Sequence, residues 1–154
     1  MLRGFVRISP DRRSQGLTGD DYLNLILNPK LLEAVPTEVQ ALFGVARGAI
    51  VYAYFFYPLY TLAAEQLFRV AESAIGHKCK ALGAPRSKDT LKKKIEWLID
   101  QGPIPESELS RWEAIRGLRN AASHPDRQSI FTPGGAIGLL EGITEQINSL
   151  FSGG

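Results

Sequence analysis

A chain of 154 residues, 44% apolar and 22% charged, is long enough for one domain with a real core and has the composition of an ordinary soluble protein. Its net charge of +2 excludes a nucleic-acid binder that works through overall charge, so any such function needs a local cluster. A single cysteine, Cys79, excludes a disulfide framework and a multi-cysteine metal site, and makes a reducing cytoplasm the expected compartment.

The N-terminus, Met1-Leu2-Arg3-Gly4-Phe5, carries no apolar run of signal-peptide length. Residues 1–35 are punctuated by Pro10, Gly16, Gly19 and Pro29 and read as an arm packed on a domain. One short helix is expected there, from Asp20 or Asp21, with Leu23, Ile26 and Leu27 as its apolar positions.

From residue 36 to 151 the apolar spacing predicts five helices. The first runs from Pro36 to about Phe55, with Val39, Leu42, Phe43, Ala46, Ile50, Ala53 and Tyr54 on one face. The second runs from about Pro58 to Leu82, with a stripe of Leu59, Leu62, Ala63, Leu67, Val70, Ala71, Ala74, Ile75 and Cys79. Gly83 and Pro85 supply its stop signals. The most apolar stretch, Ala49 to Leu62, is shorter than the roughly 20 residues a membrane span needs, and Pro58 interrupts it. The third helix, about Asp89 to Gln101, places Leu91, Ile95, Leu98 and Ile99 together, and Gly102-Pro103 closes it. The fourth covers about Ser107 to Ser123, and the fifth starts at Thr132-Pro133, an N-cap with a first-turn proline. Its core positions are Ala136, Leu140, Ile143, Ile147 and Leu150. With no alternating run bounded by turn residues, the expected fold is an all-α, antiparallel up-and-down bundle of about five helices.

The fourth helix carries the chemistry. Trp112, Ile115, Leu118 and Ala122 form its apolar stripe, and at about 100° per residue Arg119 falls inside that stripe. A guanidinium turned toward a core needs a partner, and the second helix offers Glu65 and Glu72 near its own stripe. An ion pair tying the two helices is therefore one complete account of Arg119. His124 precedes Pro125, which ends the helix at or before it. A helix C-terminus favours the protonated imidazole, suited to acid catalysis near neutral pH, though a histidine capping a surface helix end fits the position equally. Asn120 is either a plain polar residue or a phosphate donor.

The stretch Arg119-Asn120-Ala121-Ala122-Ser123-His124 resembles the R-x4–6-H motif of HEPN domains, with the polar residue that often follows the arginine. A late helix, a proline turn and a terminal helix match that family's layout over roughly residues 36–151, as in uncharacterised HEPN-like bacterial proteins. The resemblance implies a metal-independent endoribonuclease, with two motifs facing each other across a homodimer, or a relative without the activity. In that reading His124 is the general acid/base, Arg119 holds the scissile phosphate and stabilises its developing charge, and Asn120 orients either one. It implies no metal and no cofactor. Arg116, Arg127, Lys92 and Lys93 are the accompanying backbone-binding candidates.

The other features have simpler readings. His77 reads as surface and Cys79 as core. Pro133-Gly134-Gly135-Ala136-Ile137-Gly138 lacks a preceding strand and a P-loop lysine, so it reads as a helix start. The cluster Arg86, Lys88, Lys92, Lys93, Lys94 is a solvated face or an RNA-backbone surface. The dense aromatics from Tyr52 to Tyr60 fit a dimer interface or burial under the N-terminal arm. Three functions stay open: a ribonuclease dimer, a non-catalytic interaction or nucleotide-binding module of a defence or stress system with a protein partner, and a structural helical domain.

Overall fold

The computed structural model describes Asp11, Gly16, residues 18–124 and residues 131–153. Among these there are six α-helices, one 3-10 turn and no strand. They are α1 (Gly19–Leu27), α2 (Thr37–Ala53), α3 (Leu59–Ala81), α4 (Leu91–Gln101), α5 (Leu109–Ala122) and α6 (Pro133–Ser152), with the 3-10 turn Glu106–Glu108 leading into α5.

Local chemistry sets the helix ends. Thr18, Thr90 and Thr132 cap α1, α4 and α6, each hydroxyl accepting the backbone N–H of the third helical residue. At the α6 start a Cβ on Gly135 would stand 3.1 Å from the Thr132 hydroxyl, so the cap itself accounts for that glycine. Gly83 takes φ +74°, and the Ala84 and Gly83 amides donate to the Cys79 and Lys80 carbonyls at 2.9 and 3.2 Å. This double return bond needs a left-handed residue, and glycine adopts that conformation without a Cβ clash.

Helix α3 is the centre of the fold. It packs most extensively on α2, then on α6, and also meets α4 and α5. Its buried residues include Tyr60, Leu67, Phe68, Val70, Ile75 and Cys79, with Trp112, Ile115, Ile95, Leu98 and Leu140 around them. Helix α1 shares this core: Tyr22 and Ile26 are buried, and the Tyr22 hydroxyl donates to the Ile50 carbonyl and sits 2.9 Å from the Tyr60 hydroxyl. Burial and the neighbouring Tyr60 push the Tyr22 phenol far above its ordinary value, so it stays a neutral donor.

Four expected core positions are exposed instead: Leu23 and Leu27 on α1, Leu62 on α3 and Leu118 on α5. Tyr22 replaces the two α1 leucines because the side of that helix facing α2 is the one that carries Tyr22 and Ile26. On α3, neighbours on several sides bury a wide arc that includes Tyr60, Ala64 and Phe68 and leave Leu62 on the free flank.

Candidate functional site

The R-N-A-A-S-H stretch forms the last turn of α5. The Ser123 amide donates to the Arg119 and Asn120 carbonyls, both at 3.2 Å, and its hydroxyl donates to the Arg119 carbonyl at 3.0 Å. The His124 amide donates to the Ala121 carbonyl at 3.2 Å. The i→i+3 pattern tightens the end of the helix and satisfies carbonyls that would otherwise lack partners. Ser123 therefore has a definite task within the motif: it fixes the backbone that carries Arg119.

Arg119 projects into a polar cleft of about 290 Å³ between α3 and α5. Glu65, Phe68, Arg69 and Glu72 line it from α3, and Arg119, Ala122 and Ser123 from α5. Arg119 Nη2 lies 3.3 Å from Glu72 Oε2 and 3.5 Å from Oε1, and its Nη1 lies 3.5 Å from Asn120 Oδ1. The pair is far from buried, with the two side chains 42% and 38% exposed. Sequence periodicity placed Arg119 inside the apolar stripe; its long side chain instead leaves the core edge and carries the guanidinium into the cleft. A second guanidinium, Arg69, is exposed on the α3 wall facing Arg119 across the cleft and has no ion pair among the described residues. Glu65 likewise makes no ion pair among the described residues and faces the cleft without bridging to Arg119.

His124 is exposed, one residue beyond the part of the motif that lines the cleft. Asn120 is exposed and touches the arginine. The other basic candidates lie elsewhere. Lys92 and Arg116 line a different groove, about 460 Å³, between α4 and α5, with Glu96, Asp100 and Glu113. Arg116 is held there by Glu113, with Nε and Nη2 at 2.9 and 2.7 Å from one carboxylate oxygen, which raises its already high pKa. Lys93 pairs with Asp89 at 2.9 Å and holds that carboxyl below the usual range. Arg127 lies outside the described residues. His77 is half-buried, and Cys79 is buried, its thiol pushed up by that burial.

Arg69 is the residue that the sequence reading missed. Its signal was present: Glu65, Arg69 and Glu72 stand at i, i+4 and i+7, one flank of a helix. Among the described residues no cluster of three His, Cys, Asp or Glu side chains is placed to hold a metal, and no helix is long and apolar enough to cross a membrane.

These features define an all-helical protein whose charged inter-helix cleft is closed on one side by the end of α5. Residues 50–149 match the family described as "Domain of unknown function (DUF4145)", and the chain belongs to that family. The matched span contains every residue of the cleft and His124. No curated protein and no solved structure matches the chain.

Proposed function

We propose that this protein is a HEPN-like, metal-independent endoribonuclease of the cytoplasm, its helices forming an antiparallel up-and-down bundle and its active site completed across a homodimer. The observation that carries the reading is the state of Arg119: it stands in an open cleft, fixed by Glu72 and Asn120, with its guanidinium partly free to take a phosphate. A bidentate guanidinium suits the two non-bridging oxygens of a scissile phosphate and the charge that grows on them. His124, exposed one residue beyond the cleft lining, takes the proton of the attacking 2′-hydroxyl or gives one to the leaving 5′-oxygen. Attack by the 2′-hydroxyl breaks the P–O5′ bond and leaves a 2′,3′-cyclic phosphate and a 5′-hydroxyl, with no cation required.

A single histidine serves poorly as both acid and base, and a second copy of the chain supplies the other. Exposed apolar groups beside the cleft suit that partner: Leu62, 56% exposed, one turn before Glu65 on α3, and Leu118, next to Arg119. Tyr52 and Phe56 extend the exposed apolar surface at the α2–α3 corner.

A second reading has its own support. The Arg119–Glu72 bridge and the exposed His124 of the single chain also suit a non-catalytic module that binds a nucleotide or a protein partner, or a purely structural domain. Incubation of a mixed RNA pool in EDTA with wild type and His124→Ala separates them. The ribonuclease reading predicts cyclic-phosphate ends from wild type and none from the variant. No cleavage by a folded, dimeric wild type would leave the binding readings.

A further inference from the structure

Charge is unevenly distributed along this chain. Residues 78–94 carry seven of its 18 Lys and Arg side chains and one of its 16 acids, Asp89. The remainder holds 11 cations against 15 acids, so a local excess of +6 sits on a chain of net +2.

The fold gathers this run into one corner. The return bonds at Gly83 reverse the chain at the end of α3, and Cys79 Sγ lies 3.8 Å from the Lys94 carbonyl, tying that end to the first turns of α4. Local partners satisfy only part of the charge. Lys93 pairs with Asp89 and Lys92 with Glu96, both between exposed side chains, whereas Lys80, Arg86 and Lys88 have no ion pair among the described residues. The first turn of α4 holds lysines and no acid, the opposite of what the helix field favours. At the end of α3 Lys78 and Lys80 stand where the helix field favours cations, so the departure is confined to the start of α4, and local departures of that kind are expected at functional surfaces.

The corner also connects to the cleft. On α3, Lys80 falls about 20° around from Arg69 and about 16 Å farther along the axis. Ser73 and Gly76 lie between them on the same flank, and the acid bordering the strip, Glu72, about 60° around from Arg69, is engaged by Arg119. We propose that Arg69, Lys80, Arg86 and Lys88 form a track that binds the phosphates of single-stranded RNA flanking the scissile bond. The proposal rests on the ribonuclease reading of the cleft and gives that enzyme an extended, sequence-tolerant substrate rather than a dinucleotide.

The test is binding without turnover. His124→Ala protein is titrated against a fluorescein-labelled single-stranded RNA of about 20 nucleotides, read by anisotropy across about 50 to 200 mM salt. Adding Lys80→Glu, Arg86→Glu and Lys88→Glu together should weaken binding at least about tenfold at the lowest salt. The slope of log K against log salt should flatten by about 2, at about 0.7 per lost phosphate contact. Glutamine at the same three positions should act in the same direction and less strongly, with helical circular dichroism unchanged for both sets. Arg111→Glu, on the exposed side of α5 beside Glu145, is the charge control and should change the slope by less than about 0.3. Absence of RNA binding, an unchanged slope in the triple variants, or an equal effect from Arg111→Glu would overturn the track. Track-dependent binding by a wild type that cleaves nothing would count against the ribonuclease reading alone. Normal cleavage with track-independent binding would count against the track alone.

Discussion

Replacing Arg119 with alanine separates a residue held for stability from one held for chemistry. The pair it forms with Glu72 rests on one guanidinium nitrogen, Nη2, 3.3 and 3.5 Å from the two carboxylate oxygens, between side chains that are 42% and 38% exposed. Solvent screens a pair of that kind, and such pairs contribute about 0.2–1 kcal/mol. Arg119→Ala and Glu72→Gln should therefore each cost about 1 kcal/mol or less, and their coupling in a double-mutant cycle should be below about 1 kcal/mol. A buried structural pair behaves differently: removing one partner strands the other charge and costs about 3–5 kcal/mol. The assay is urea unfolding followed by circular dichroism at 222 nm, with equal m-values as the check that the unfolded reference is unchanged. Raising the salt from about 0.1 M to 1 M shortens the screening length from about 10 to 3 Å and should remove most of the coupling. A loss of 3 kcal/mol or more, insensitive to salt, would refute the argument and make Arg119 a structural ion-pair residue.

Trp112 is 2% exposed at the centre of the α5 contact, and Trp112→Ala should cost about 3–5 kcal/mol in the same urea assay. Thr132→Ala removes the cap on α6 and should cost about 1 kcal/mol, with Thr132→Ser retaining most of the stability. Burial raises the Cys79 pKa, so the folded state prefers the neutral thiol. That contribution is complete below the ordinary thiol value of about 8.5 and is lost as pH rises toward the elevated folded value. Stability of wild type should thus fall more steeply than that of Cys79→Ala as pH rises above about 8.5, and parallel curves would contradict the assignment.

Much of the fold could be read from short-range signals. Thr132-Pro133, Gly83 followed by Pro85, and Gly102-Pro103 marked helix ends because capping depends on residues within a turn of one another. The start of α5 was less legible: Ser107 lies inside a 3-10 turn, and the α-helix begins at Leu109. A one-sided stripe also misjudged α3, which has neighbours on several sides and so buries Tyr60 and Phe68 while exposing Leu62. At the candidate site, Arg119, Asn120 and His124 stood out because they are contiguous. Glu72 was recognised as a partner by its position near a stripe. Arg69 was not, because its place beside Arg119 depends on how α3 packs against α5.

The most direct measurement of the central claim is subunit mixing. Wild-type protein at a fixed concentration is titrated with increasing His124→Ala chain in EDTA, and cyclic-phosphate ends are counted after subunits have exchanged. A site that needs one histidine from each protomer predicts that activity per wild-type chain falls toward zero as mixed dimers replace wild-type dimers. Activity per wild-type chain that stays constant, or an absence of cyclic-phosphate ends at every ratio, would contradict it.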